Sequence, residues 1–161
     1  MSFTFNVDDL YDFADDALRA SAEMTQVAYD TAMSAGFFME GHAKTNAQDR
    51  HKKGTGTMAT TIETFPKSVG LGTATAEVVA PAVSGHGFPY PIVVDKGRGP
   101  IVAKKGKALA FKGDDGKIVR VRSVGAYPGS RFWSDALALT EQELDGFADD
   151  AGERLVAMLR D

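Results

Sequence analysis

The sequence predicts a single α+β domain with a long N-terminal helix, a small mostly antiparallel sheet that includes a hairpin near residues 107–124, and two C-terminal helices. A length of 161 residues suits one domain, and 43% hydrophobic with 25% charged residues is the composition of an ordinary globular protein. Of the 17 glycines, 13 lie between Gly54 and Gly129, as do all six prolines, so the ends are expected to be helical and the middle is not. We therefore expect one domain over residues 1–161, with a helix at about 7–45, a β-rich middle at about 55–125 and helices at about 131–160.

The N-terminal helix is predicted from apolar residues spaced three and four apart, from Leu10 to Phe38, which cover one helical face. Asn6 or Asp8 can cap its start, and the acids that follow complement the helix dipole. Gly41 is either the end of this helix or a bend in it.

Strands are predicted in the middle of the chain. Thr60–Phe65 and Thr73–Ala80 are rich in threonine and valine, and a proline follows each segment. Tyr90–Lys96 fits two interpretations, because Ile, Val and Val favour a strand whereas Gly97 could end a short helix.

A hairpin is predicted from Lys107–Lys112 and Lys117–Val124, which flank the turn sequence Gly113-Asp114-Asp115-Gly116. Alternation along the strands assigns an apolar face, expected to join the core, to Leu109, Phe111, Val119 and Val121. The opposite, wet and positive face is assigned to Ala110, Arg120 and Arg122.

Two C-terminal helices are predicted, a shorter one over Arg131–Leu139 and a second that begins at Thr140. Thr140 with Glu143 three residues later has the pattern of a capping box. The apolar stripe of the second helix comprises Leu144, Phe147, Ala148, Ala151, Leu155, Met158 and Leu159.

The charges are segregated along the chain, although the net charge is only −4. Residues 1–30 sum to −6, residues 95–131 to +7 and residues 132–161 to −6. Such a chain could pack head to tail on copies of itself, or lay its basic middle on a polyanion. The plainer interpretation is that the solvated faces of the end helices are acid-rich.

Basic residues on or near the hairpin are the candidate functional residues. They could neutralise phosphates of nucleic acid, or pair with acids such as Asp145 and Asp149 of a neighbouring copy. Few aromatic residues lie among them, so we expect no stacking platform and no sequence-specific recognition. The candidates for a subunit interface or a DNA channel are Lys52, Lys53, Lys104, Lys105, Lys107, Arg120 and Arg122.

No catalytic constellation is visible. The chain has no cysteine, and its three histidines are far apart without a metal-binding spacing. We therefore expect no enzyme, no metal and no cofactor; the enzymatic alternative is a phosphate site built from Asp95, Arg98 and a histidine. Acids occupy the N-terminus where a secretory leader needs bases, and no uncharged run could cross a bilayer as a helix, so no membrane association is expected.

After the predicted long N-terminal helix, three segments follow in order: residues 55–62 (TGTMATTI), residues 90–97 (YPIVVDKG) and residues 129–137 (GSRFWSDAL). In this order they resemble segments of the head-to-tail joining, or tail-completion, proteins of long-tailed bacteriophages. The first is similar to the family's entry into its first strand, the second to its tyrosine, valine, acid and glycine segment, and the third to its entry into the closing helices. Asp95 stands where the family more often has glutamate.

The resemblance implies a non-enzymatic structural protein of the virion neck or the top of the tail, made in the host cytoplasm. It implies copies assembled as a closed ring, expected to be a hexamer, that joins head to tail around the DNA channel. The implied partners are other copies, neighbouring neck and tail proteins, and genomic DNA passing through without sequence preference. The alternative is a small nucleic-acid-binding protein that uses its basic hairpin.

Overall fold

The computed structural model describes residues 8–50, 57–82, 90–112 and 115–158, with the side chains of the first helix from residue 15 onward. Two long helices, α1 (Asp8–Arg50) and α4 (Phe132–Met158), lie at the two ends of the chain. Two short helices, α2 (Thr57–Thr60) and α3 (Tyr90–Lys96), and antiparallel strands lie between them. The predicted α+β class is confirmed.

The first two strands form a hairpin against α1. Strand β1 (Glu63–Gly70) pairs with β2 (Thr73–Val79), the latter close to its predicted bounds. The prediction that the first strand ends before Pro66 is wrong, because β1 continues through it with a register shift between Pro66 and Ser68. Since β1 has a partner on one side only, a residue without an N–H group is tolerated there.

Four shorter strands follow: β3 (Ile101–Val102), β4 (Leu109–Lys112), β5 (Ile118–Val121) and β6 (Ser123–Val124). The β4–β5 pair confirms the predicted hairpin. A single small sheet was the wrong expectation, since the described strands form three separate two-stranded antiparallel sheets.

Helix α1 is longer than predicted and spans 43 residues, about 65 Å at 1.5 Å per residue. It passes through Gly36 and Gly41 without a break. At Gly36 the strand β1 approaches so closely that the hydroxyl of Thr64 donates to the Gly36 carbonyl at 3.0 Å. An added Cβ there would lie 2.5 Å from the Thr64 methyl carbon, so this approach requires glycine.

Residues 90–96 form a helix, which decides between the two interpretations of that segment. Its last turn closes where the Gly97 N–H donates to the Val93 carbonyl at 2.8 Å, and Gly97 has a φ of +80°. Such a left-handed residue is the usual end of a helix.

The prediction of two C-terminal helices is wrong, because α4 runs unbroken through the expected boundary. Thr140 is buried, and its hydroxyl donates to the Ala136 carbonyl at 2.9 Å, one turn earlier in the same helix. It therefore caps no helix start. Neither long helix, over its described residues, is apolar enough to cross a membrane.

Helices α1 and α4 pack antiparallel. The amide of Asn46 donates to the backbone carbonyl of the first residue of α4 at 3.2 Å. The rings of Phe38 and Phe147 meet edge to face at 5.7 Å between centroids, and Arg154 donates to Asp30 at 2.6 Å. The start of α4 thus lies beside the end of α1, and the end of α4 lies beside the first half of α1.

The hydrophobic core is small and lies where α2 and α3 meet the end of α1 and the start of α4. Five of its nine buried members are alanines. The partly buried side chains of Val78, Ala80, Tyr90 and Trp133 surround it. The buried members are Ala43, Ala47, Met58, Ala59, Ile62, Ala82, Val94, Phe132 and Ala136.

Candidate functional site

Residues 98–127 form a two-stranded arm, within which residues 113–114 lie outside the described part of the chain. At its root, Arg98 and Tyr127 exchange backbone hydrogen bonds of 2.7 and 2.9 Å. The β3–β6 and β4–β5 ladders follow toward the tip. Its second strand, residues 118–127, is about 30 Å long at 3.4 Å per residue.

The first strand of the arm contains a loop that the second strand does not match. The Ala103 N–H donates to the Arg122 carbonyl at 2.8 Å, whereas the next pair of the ladder joins Leu109 to Val121. Arg122 and Val121 are consecutive, so residues 104–108 have no partner opposite and bulge from the arm.

This loop holds three of the predicted candidate residues. The Lys107 N–H donates to the Lys104 carbonyl at 2.9 Å and closes a turn, in which Gly106 has a φ of +76°. Lys105 is the remaining lysine, and all three side chains are exposed. The fold thus collects three ammonium groups on one short turn.

The remaining candidates divide between the second strand and undescribed residues. Arg120 pairs with Ala110 in the ladder, and Arg122 lies at the bend between β5 and β6. Both arginines are exposed, and neither they nor the loop lysines form an ion pair with any described residue. Lys52 and Lys53 lie outside the described residues.

The apolar face of the arm has the predicted members but not the predicted surroundings. Leu109 lies opposite Val121 and Phe111 opposite Val119, so these four side chains share one face. Phe111 is 45% exposed and Val119 37%, and none of the four belongs to the core cluster. The expectation that this face joins the core is wrong, because the arm leaves the body instead of folding over it.

The root of the arm is tied to the start of α4 by Asp95. Its buried carboxylate accepts hydrogen bonds from the Trp133 N–H at 2.8 Å and the Ser134 N–H at 3.1 Å. The Ser134 hydroxyl donates to the second carboxylate oxygen at 2.6 Å. Asp95 therefore caps α4 from another element and satisfies donors that no helical carbonyl can reach.

Two glycines let the backbones cross at this junction. An added Cβ on Gly97 would lie 2.2 Å from the Tyr127 carbonyl oxygen, and one on Gly129 would lie 2.4 Å from that of Asp95. Both residues have positive φ. Next to them, Arg131 holds a φ of +55°, which is strained for a residue with a side chain.

The residues of the enzymatic alternative are each engaged in contacts of their own. Asp95 caps α4, and the Arg98 guanidinium donates to the carbonyls of Gly99 and Gly125 at 3.1 and 3.0 Å. His42 packs on Phe38 with ring centroids 4.5 Å apart, and the other two histidines lie outside the described residues. Among the described residues, no group of three or more metal-ligating side chains comes together.

A second uncovered surface, the helical seam, lies between the first half of α1 and the second half of α4. It is an open slot of about 370 Å³ whose walls are small or apolar side chains. Leu144 in this slot is 50% exposed, and Met24 is 49% exposed. The seam is lined by Met24, Val27, Ala28, Thr31, Ala32, Ala35, Gly72, Ala74, Leu144, Phe147, Ala148, Ala151 and Leu155.

The packing of α4 on α1 places acidic residues of α4 beside the seam. Asp145, Asp149 and Glu153 are exposed on α4, and none of them forms an ion pair with a described residue. Asp30 differs, because hydrogen bonds from Arg154 and then Gln26 hold the pKa of its carboxyl below the ordinary 3.8.

Sequence reasoning missed the seam and the role of Asp95. The apolar stripe of α4 was found from its spacing, but only the packing of α1 reveals that the stripe faces a gap lined by alanines. Nothing in the spacing of Asp95 and Ser134 indicates that they meet.

No protein-family model, no curated protein and no solved structure matches this chain.

Proposed function

We propose that this chain is a structural, non-catalytic subunit of the neck of a long-tailed bacteriophage, which assembles with copies of itself into a closed ring. The observation that carries the proposal is the arm, a basic two-stranded ribbon whose apolar face lies outside the core cluster and is exposed at Phe111 and Val119. An isolated two-stranded hairpin is at best marginally stable in water. A partner that covers the apolar face would remove this deficit.

The distribution of apolar residues supports assembly. Among the described residues, 16 large hydrophobic side chains are exposed, whereas six hydrophobic side chains larger than alanine are buried. Five of the 16 exposed side chains lie on the arm, and a group of exposed apolar side chains on one element marks an interaction surface. Because the arm and the seam are different surfaces, a contact that joins one copy to the next at them is head to tail. Such contacts form a ring where the rotation between copies closes, and an open filament where it does not.

The place in the virion rests on the resemblance. It leads us to propose a hexameric ring at the neck or the top of the tail, in contact with neighbouring neck and tail proteins, and with host cytoplasm as the site of assembly. DNA would pass through the ring. Lys104, Lys105 and Lys107 either approach the channel, where flexible ammonium groups exchange contacts between phosphates without holding the DNA, or pair with Asp145 and Asp149 of the next subunit.

The test combines mass measurement of the purified protein with imaging of intact particles. We expect either a ring in solution or a monomer that joins a ring at the neck of the particle. Arg120→Glu with Arg122→Glu should weaken association far more than folding, because exposed charges contribute little to stability. A monomeric protein that is absent from the particle neck would contradict the proposal.

The second candidate function is binding of double-stranded nucleic acid by the arm. It is favoured by the exposed loop lysines with Arg120 and Arg122, which form no ion pair with a described residue. Salt separates the two functions, because affinity that depends on several phosphate contacts falls steeply as the salt concentration rises. A ring that is held together partly by apolar surface persists as the salt concentration rises. Tight, salt-sensitive DNA binding by a monomer would favour this second function.

A further inference from the structure

We infer that the apolar face of the arm docks into the helical seam of a second copy of this chain, with the loop lysines of the arm, Lys104, Lys105 and Lys107, engaging the acids beside the seam. The inference rests on the proposed self-assembly, and it names the surface that receives the arm. Both surfaces belong to the described part of the chain, and both are open in the isolated subunit.

The two surfaces match in their apolar parts. The arm presents a row of four side chains, in which Phe111 is the largest. The seam presents a slot of about 370 Å³, and a smaller one of about 120 Å³ continues along the same helices between Met24, Leu155 and Met158. The α1 wall of the slot consists largely of alanines, which leave room for the larger side chains of the arm.

The two surfaces also match in charge. Residues 98–127 carry eight bases and two acids, whereas the helix that forms one wall of the seam belongs to a segment with a net charge of −6. Opposite charges guide the arm to the seam, and like charges oppose the pairing of one arm with another. Asp145 and Asp149 directly follow Leu144 and Ala148, which line the slot, so they flank the apolar contact.

The position of the arm makes the contact intermolecular in the structure described. Its root lies at the first turn of α4, through the hydrogen bonds of Ser130 and Arg131 to the carbonyls of Val94 and Asp95. The acids of the seam lie along the later turns. Phe111 and Val119 are exposed, and no arm residue lines the seam, so the arm does not occupy the seam of its own copy.

Nucleic acid is the competing occupant of the arm. A polyanion would neutralise the arginines and lysines, but it would leave the apolar face of the arm and the whole seam exposed to water. A second copy covers both apolar surfaces and pairs both sets of charges. The observations therefore favour a protein partner, and specifically this chain.

A charge-exchange experiment tests the docking. One full-length variant carries Lys104→Glu and Lys105→Glu, which makes the loop of its arm acidic, and the other carries Asp145→Lys and Asp149→Lys, which makes its seam more basic. Each variant alone should lose assembly, with association weakened by at least about tenfold. Mixed at equal amounts they should assemble again, because each altered surface then finds an opposite charge on the other variant.

Matched controls separate docking from folding and from net charge. The control for the arm variant is Lys67→Glu with Lys96→Glu, which changes the net charge by the same amount. The control for the seam variant is Asp49→Lys with Glu63→Lys, which likewise matches its change in net charge. All four residues are exposed and lie outside both surfaces. These controls should assemble like the unaltered chain. Circular dichroism and thermal unfolding check that every variant is folded.

The outcomes distinguish this inference from the proposed function. If the unaltered chain assembles but the mixture of variants does not, the arm docks elsewhere and the inference is wrong while the ring stands. If the unaltered chain stays monomeric at the concentrations used for the mixture, the docking is wrong, whereas the proposed function is contradicted only if the chain is also absent from the particle neck. Restored assembly that binds no DNA supports the docking, and a mixture that gains only DNA binding overturns it.

Discussion

At the scale of single residues, the junction between the arm and α4 depends on one carboxylate and two glycines. The Asp95 carboxylate accepts hydrogen bonds from two backbone N–H groups and one hydroxyl. At Gly97 and Gly129, two backbone segments lie so close together that a side-chain methyl group would not fit between them. Because this junction is close-packed and joined by hydrogen bonds, the position of α4 determines where the arm leaves the body. Its residues are therefore expected to tolerate substitution poorly.

Asp95→Ala should lower the free energy of unfolding by about 2 kcal/mol, because the first turn of α4 loses its cap and leaves two N–H groups unsatisfied. Asp95→Asn is the isosteric control. Its amide oxygen can still accept both N–H groups, so it should lose less than about 1 kcal/mol, the part that comes from the charge near the helix start. Urea unfolding measures both, and equal losses would contradict the capping role.

Gly97→Ala should destabilise the protein by more than about 3 kcal/mol, because it combines a positive φ with a backbone collision. Gly125→Ala is the matched control in the same arm, since nothing lies within 4 Å of its added Cβ. That change should alter stability by no more than about 1 kcal/mol. A folded Gly97→Ala protein of unaltered thermal stability would exclude the close crossing.

At the scale of elements, α1 is the support on which the other elements are arranged. Strand β1 contacts it at Gly36, the turn between β1 and β2 contacts it where the Gly72 N–H donates to the Thr25 hydroxyl at 2.9 Å, and α4 follows it antiparallel. Each contact uses small residues of the helix. The cost of that arrangement is a low intrinsic helix propensity at those positions.

Gly36→Ala tests the contact between α1 and β1. Alanine favours a helix over glycine by about 1 kcal/mol, but here its Cβ collides with the Thr64 methyl group, so we expect a net loss of about 1–3 kcal/mol. In a Thr64→Ser background, which keeps the hydroxyl and removes the methyl group, the same change should stabilise. Gly41→Ala, with nothing within 4 Å, should stabilise in either background.

Arg154→Gln tests the contact between α1 and α4 through the pKa of Asp30. That pKa is lowered by the Arg154 hydrogen bond first and by Gln26 second, so the contact stabilises the fold above the ordinary pKa and is lost as the pH falls through the lower, folded value. The substitution should raise the Asp30 pKa toward 3.8. Carbon-13 titration of the carboxyl measures it, and Arg19→Gln should leave it unchanged.

Periodicity in the sequence predicts which residues share a face, and the limits of that information follow from particular residues. The spacing from Leu10 onward predicts α1, and alternation predicts that Leu109, Phe111, Val119 and Val121 lie together. Neither pattern indicates which part of the molecule covers a face, so alternation alone leads to the wrong expectation that the apolar face of the arm joins the core. The pair Thr140 and Glu143 is compatible both with a capping box at a helix start and with the interior of a helix. Only the buried surroundings of Thr140 in the structure decide for the helix interior.

Of the candidate site, the sequence predicted the basic residues but not their arrangement. The loop at residues 104–108, which has no counterpart on the second strand, brings three lysines onto one turn. Its position depends on the hydrogen-bond register of the two strands, and no residue pattern in the sequence indicates that register. The approach of Asp95 to Ser134 is likewise long-range. The seam depends on how two helices 80 residues apart pack.

At the scale of the whole molecule, the core lies at one end of the α1–α4 pair and takes no residue from the arm. Replacing residues 101–124 by a short glycine–serine linker should therefore leave the helical body folded, with a similar midpoint of thermal unfolding, and should abolish assembly. Circular dichroism and sedimentation measure the two effects. An unfolded body would show that the arm stabilises the subunit itself, and an assembled one would exclude the arm as the contact.

The mismatched loop at residues 104–108 has a consequence for the subunit before it meets a partner. In a two-stranded ribbon each strand is an edge strand. A long, flat, apolar edge strand can pair with the edge strands of other copies and so form fibres. The loop breaks the edge of the arm into short runs and places three positive charges at the break. The interrupted edge and its charges therefore oppose the edge-to-edge pairing of one arm with another.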